Sequence, residues 1–137
     1  MIAVRKQLQE AKLELGIQQD IDLGCMIEVP AAALIAEDLA KVSDFFSIGS
    51  NDLVQYGLAV DRSDEHVGYL YDVNHTAIKR LIQMAVDAAI QQDIPITVCG
   101  ELAANTAWTQ TFLNMQISGL SMTARHVLAV RKQLRAL

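Results

Sequence analysis

The 137-residue sequence predicts an α/β fold with four parallel strands and flanking helices. Three observations carry that expectation. Short, nearly continuous apolar runs recur at Leu23–Val29, Asp44–Ile48, Ile96–Cys99 and Gly119–Met122. Helical patterns separate them, at a spacing of roughly 25 residues between most strands, which suits crossover connections. The runs lack a strict polar alternation, as expected of strands covered on both faces.

In chain order, residues 2–15 place Val4, Leu8, Ala11 and Leu15 on one stripe among charged neighbours, an amphipathic helix that Gly16 stops. Leu23–Val29 (LGCMIEV) is the first strand and ends at Pro30. The Ala-rich AAALIAEDLAKV that follows reads as one helix. Asp44–Ile48 is the second strand, and NDLVQYGLA makes a short helix with Ser50 as a candidate N-cap. Residues 61–74 are a polar excursion. From Thr76 to Gln92 a long helix repeats Ile78, Leu81, Ile82, Ala85, Val86 and Ala89 at helical spacing, and Pro95 lies beyond its end. The third strand, Ile96–Cys99, runs into Gly100. A weaker fourth strand, Gly119–Met122, lies between helices over about 105–116 and 124–136. Periodicity alone leaves a (β/α) barrel and a doubly wound sheet equally open. The length suits one domain over residues 1–137. The hexapeptide AVRKQL occurs twice, at Ala3–Leu8 and Ala129–Leu134, with no wider period around it.

Composition narrows the function. The apolar fraction is 52% and the mean hydropathy +0.23, yet the longest apolar run, Val29–Ala36, is far too short to span a membrane. With no secretory pattern at the N-terminus, a cytoplasmic protein is expected. Cys25 and Cys99 are far apart, without metal-like or disulfide-like spacing. The formal net charge of -5 and the lack of a basic, aromatic-laced cluster argue against nucleic acid as a partner.

In both parallel folds ligands sit beyond the carboxyl ends of the strands. That rule gathers Glu28 from the first strand, Asn51 and Asp52 from the second, and Cys99, Gly100 and Glu101 from the third. Singly, each has a plainer reading: a solvated carboxylate, helix-capping residues, a small buried hydrophobe. Together, Glu28 and Asp52 offer two hard oxygen ligands from neighbouring strands, a set that suits Mg²⁺. Asn51 and Arg62 suit a phosphate, one as a neutral amide donor and one as a forked cation. Cys99 can act as a proton donor, because a thiol titrates within reach of neutral pH. Glu101 reads as a third acid or, preferably, as a helix-start residue. His66, His75 and His126 show no metal-like spacing, and GSND is not a nucleotide-binding glycine loop.

These residues carry a resemblance. GCMIEVPAA at 24–32, DFFSIGSNDLVQYGLAVDR at 44–62 and VCGELA at 98–103 resemble, in order and spacing, the phosphoenolpyruvate-binding barrel of the phosphoenolpyruvate-utilising enzymes. Within that family the second motif looks most like the phosphoenolpyruvate-protein phosphotransferases of the bacterial sugar phosphotransferase system. Pyruvate phosphate dikinase and phosphoenolpyruvate synthase share the motifs. The resemblance implies that this chain is the second half of a (β/α)8 TIM-type barrel. It implies Mg²⁺ on Glu28 and Asp52, the substrate phosphate on Asn51 and Arg62, and Cys99 as the acid that protonates the enolate to pyruvate. It further implies a phosphorylated histidine on a swivelling domain outside this chain, and a histidine-containing phosphocarrier protein as the downstream partner. A half-barrel on its own should be inactive or nearly so. Its two open sheet edges and an uncovered apolar face would favour a homodimer or larger oligomer that closes the barrel. Local departures from the family pattern fall at Ala104, Asn105, Asn114, Gln116 and Leu128, and in YDVNHTAI, which lacks two familiar prolines.

Overall fold

The computed structural model describes all residues, Met1–Leu137. Four strands, β1 (Cys25–Ile27), β2 (Phe46–Gly49), β3 (Ile96–Cys99) and β4 (Gly119–Leu120), form one parallel sheet in the order β1-β2-β3-β4. The helices are α1 (Ile2–Glu14), α2 (Pro30–Leu34), α3 (Ala36–Ala40), α4 (Ser50–Leu58), α5 (Thr76–Gln91), α6 (Glu101–Ala104), α7 (Thr109–Asn114) and α8 (Ala124–Leu134). Sequential strand order without reversal leaves no topological switch point, which separates an arc of a barrel from a doubly wound sheet. The α/β half-barrel expectation therefore holds.

Strand parity shows which face the helices cover. Ile27, Ile48 and Val98 are in register and fully buried, as are Phe46 and Ile96 one step earlier. They belong to a 20-residue cluster with Ala33, Ala36 and Ala40 of α2 and α3 and with Ile78, Ile82, Ala85, Val86 and Ala89 of α5. The small alanines of α2 and α3 let α5 approach closely, and the stripe that defines α5 in the sequence is the stripe it buries. The other face carries Met26, Ser47, Thr97 and Gly119 in register, and Met26 is 48% exposed. The strands thus alternate rather than run continuously apolar. The expectation of an uncovered apolar face is corrected, because Met26 is the only large hydrophobic side chain among these positions.

Boundaries shift for physical reasons. β1 and β2 both start later than expected, because the Asp44 carboxylate accepts from Leu23 N–H at 2.7 Å and pairs with Arg5 at 3.0 Å. The Leu23 N–H, followed by Arg5, holds the Asp44 carboxyl below its ordinary range. The single helix expected after Pro30 breaks at Ile35, whose φ of -109° and ψ of 21° leave the helical region. The helix expected over 105–116 begins later, because Asn105 is extended and its side chain caps a short 3-10 turn by accepting from Ala107 N–H at 3.0 Å. Gln116, at one of the departures from the family pattern, takes a positive φ of 60°, where glycine is favoured.

α1 is turned away from its expected orientation. Val4, Ala11 and Leu15 are exposed, whereas Arg5, Leu8 and Lys12 face the body of the protein. Arg5 reaches the Val42 carbonyl at 3.2 Å and Lys12 reaches Asp20 at 3.4 Å, so polar anchors rather than an apolar stripe hold this helix.

Candidate functional site

The carboxyl ends of the strands carry the candidate residues. Glu28 follows β1, Asn51 and Asp52 occupy the first turn of α4 after β2, and Cys99 ends β3. Gly49 and Cys99 are ladder partners, which brings the second and third strand ends side by side. The expected capping role of Ser50 is corrected: Gly49 holds the cap position, and Ser50 is buried in the first turn. Its hydroxyl donates to the Cys99 carbonyl at 2.6 Å, joining the two strand ends.

The following residues lock Asn51. Glu101 N–H donates to Asn51 Oδ1 at 3.1 Å, so the amide presents its NH₂ group elsewhere, free to donate. Gly100 permits this approach. Its φ is 91°, and a Cβ there would stand 2.6 Å from Ser50 Oγ and 3.0 Å from Asn51 Oδ1. The Tyr71 hydroxyl donates to the Asn51 carbonyl at 3.1 Å from the far end of the 61–74 excursion. Burial pushes the Tyr71 phenol up, while Arg62 beside it pulls the other way and Glu101 and Asp52 add to the rise. The excursion is anchored again where Trp108 Nε1–H donates to Asn74 Oδ1 at 3.0 Å.

Arg62 is exposed and meets the rim through Glu101, with Nη1 to Oε1 at 3.7 Å. Cys99 lies between two polar contacts. Its thiol donates to the Ile48 carbonyl at 3.4 Å and accepts from the Ser47 hydroxyl at 3.7 Å. A cleft of about 420 Å³ opens over this point, lined by Asn51, Cys99, Gly100 and Glu101 on one side and by Ser121–Thr123, Arg125 and His126 on the other. Glu28, Asp52 and Arg62 lie outside its lining.

Glu28 and Asp52 are the expected metal ligands, one after β1 and one after β2. Both are half-buried, and none of the ion pairs in the molecule uses either carboxylate. Glu28 is seated against Gly49, where a Cβ would stand 2.8 Å from both its Cβ and its Oε2. No group of three or more His, Cys, Asp or Glu side chains in the structure could hold a metal ion. Two carboxylates open to further oxygen ligands are what Mg²⁺ ordinarily uses.

Several residues at the site were not assigned to it from the sequence. Ser47 lies within the motif at 44–62 and Tyr71 opens YDVNHTAI, but neither residue type pointed to a role at the site. Arg125 and His126 were reachable, because the strand-end rule applied to β4 points to the segment that follows it. His126 Nδ1 lies 3.2 Å from Thr123 Oγ1, and Arg125 is exposed. No helix of the structure is long and apolar enough to cross a membrane.

Comparison with known proteins gives the family. The model of the PEP-utilising enzymes' PEP-binding domain matches residues 1–137. The phosphoenolpyruvate-protein phosphotransferase of Priestia megaterium is 41% identical over 132 residues, covering 94% of this chain and 23% of that protein. Its counterpart in Geobacillus stearothermophilus is 41% identical over 137 residues, covering 98% of this chain and 24% of that protein. The Bacillus subtilis (strain 168) protein of the same name is 38% identical over 149 residues, with 100% and 26% coverage. The chain spans about a quarter of the length of these curated relatives. The chain belongs to the PEP-utilising enzymes and corresponds to their PEP-binding domain.

Proposed function

We propose that residues 1–137 form one domain that binds phosphoenolpyruvate with Mg²⁺ in a cytoplasmic phosphoenolpyruvate-protein phosphotransferase. The observation that carries this reading is the linkage of the second and third strand ends. Ser50 joins Cys99, and Glu101 joins both Asn51 and Arg62, so the candidate phosphate ligands and proton donor share one framework.

Glu28 and Asp52 would hold the metal. When bound, Mg²⁺ supplies positive charge beside the phosphoryl and enolate oxygens. The Asn51 amide and the Arg62 guanidinium bind and orient the phosphate, consistent with phosphoryl transfer resting on positioning and electrostatics. The phosphorus–oxygen bond of the enol ester breaks as a phosphorus–nitrogen bond forms to a histidine on a domain outside this chain. The enolate left behind takes a proton at its methylene carbon from the Cys99 thiol and becomes pyruvate, and the thiolate regains its proton from solvent. The phosphohistidine then supplies a histidine-containing phosphocarrier protein. The identity to proteins of the phosphotransferase name favours this reading over a dikinase or synthase origin.

A barrel closed by two copies of this chain is the weaker reading. The two edge strands, β1 of three residues and β4 of two, leave few backbone groups to pair with a second copy. The open face also offers little apolar surface to bury.

Calorimetric titration of the chain with phosphoenolpyruvate, with and without Mg²⁺, tests the proposal. Metal-dependent binding is expected. Asp52→Ala should weaken it by about tenfold or more, while Cys99→Ala should leave it within about twofold, since a proton donor acts after binding. Binding that ignores Mg²⁺, or that survives Asp52→Ala, would rule out the metal assignment.

A further inference from the structure

Arg62 sits in an exposed loop, yet it is asked to meet a phosphate held by residues of α4. It begins shortly after Ala59, which closes α4 in the left-handed conformation with φ 55°. Its backbone N–H is held only by Gln55 Oε1, at 3.4 Å. A long side chain on such a segment loses much rotamer freedom when it binds a ligand. The Glu101 carboxylate, at 3.7 Å, is its ion-pair partner. The same residue's backbone N–H sets the orientation of Asn51 at 3.1 Å. The left-handed Gly100, tight against Ser50 and Asn51, fixes where Glu101 begins.

Resting on the phosphoenolpyruvate reading above, we infer that Glu101 is a positioning residue for the phosphate-binding pair. Its main chain aims the Asn51 amide, and its carboxylate holds the Arg62 guanidinium over the same rim before substrate arrives. The helix-start position of Glu101 at α6 is compatible with this role, because the two functions use different atoms. Tyr71 supports the arrangement from the other side, holding the Asn51 carbonyl next to Arg62. The ligand-free chain therefore keeps its two phosphate ligands, which both follow β2, in register through a residue that follows β3, which lowers the ordering cost of binding.

Glu101→Gln removes the charge and keeps the backbone donor to Asn51. In the 137-residue chain it should weaken Mg²⁺-dependent phosphoenolpyruvate binding by about threefold to fivefold, the range of an exposed ion pair. Titration with Mg²⁺ alone should be unchanged, a split that a general loss of structure would not produce. The Arg62 Nε–H resonance of the ligand-free protein should also shift or broaden. Unchanged phosphoenolpyruvate affinity overturns the inference. Increased affinity overturns it too, because the carboxylate would then be competing with the phosphate. If the unaltered chain binds no phosphoenolpyruvate, the functional reading fails for this chain and the Arg62 resonance alone decides. A shift on Glu101→Gln then supports the positioning role, and an unmoved resonance refutes it.

Discussion

The two faces of the sheet are built from alternate residues of the same strands, and they do different work. On the helix-covered face, Phe46, Ile48, Ile96 and Val98 are sealed against α2, α3 and α5. On the open face, Ser47, Gly49, Thr97 and Cys99 are small or polar, and the rim residues continue from them. The core therefore contributes stability without entering the site, and the site can carry polar chemistry without a hole in the core. Because side chains alternate with a period of two, a one-residue slip of register would exchange the faces. The sharpest way to break the contrast is Ile48→Ala, which empties a fully buried position between α5 and the sheet. It should cost about 2–5 kcal/mol, measured as a lowered midpoint in urea denaturation. Binding per folded molecule should persist at low temperature. Loss of both to the same degree would mean that the faces are not separable.

A smaller effect is expected one residue later, at the boundary between the faces. Gly49 lies where an added Cβ would meet Glu28 Cβ and Oε2 at 2.8 Å and Met26 Sδ at 3.1 Å. Met26 is flexible and can yield, but the Glu28 Cβ is fixed by its backbone. Gly49→Ala should therefore displace Glu28 and cost about 1–3 kcal/mol of stability. Mg²⁺ affinity, measured by titration, should fall with it. A melting temperature that drops while Mg²⁺ binding stays intact would remove Glu28 from the metal site.

What the sequence revealed follows the same division. The helix-covered face was legible because burial demands apolar residues, and the α5 stripe matched its buried residues closely. Glu28, Asn51, Asp52 and Cys99 were legible because strand ends are where such sheets place ligands. Features set by long-range contacts were not. The break at Ile35 lies in a run of Ala, Leu and Ile with no glycine or proline to announce it. Ser50 had the residue type of a cap, but proximity to Cys99 across the ladder gave its hydroxyl a better acceptor. The repeated AVRKQL makes the point within one molecule: Val130 is buried in α8, whereas Val4, its counterpart in α1, is exposed. Identical local sequence presents different faces because the surroundings decide which side is covered. Tyr71 lay in a polar stretch whose contacts to Asn51 depend on how the loop returns.

The finest test of the contrast uses the two cysteines. Cys25 shares the parity of Ile27, and burial pushes its thiol up, with Glu28 adding to the rise and the N-terminal ammonium opposing it. Cys99 shares the parity of Thr97 on the open face, and its sulfur accepts from the Ser47 hydroxyl. Ser47→Ala removes that donor without touching the core, so stability should change by no more than about 0.5 kcal/mol. The thiolate is the reactive form and gains most from a donor, so alkylation of Cys99 by iodoacetamide at fixed pH should slow by about threefold. Cys25, on the other face, should react at an unchanged rate, which site-resolved mass spectrometry can read in the same sample. If Cys99 keeps its rate, the 3.7 Å contact is packing rather than a hydrogen bond, and the open face contributes no donor to its candidate acid. If both cysteines change together, the substitution has moved the strands, and the independence of the two faces fails at its smallest perturbation.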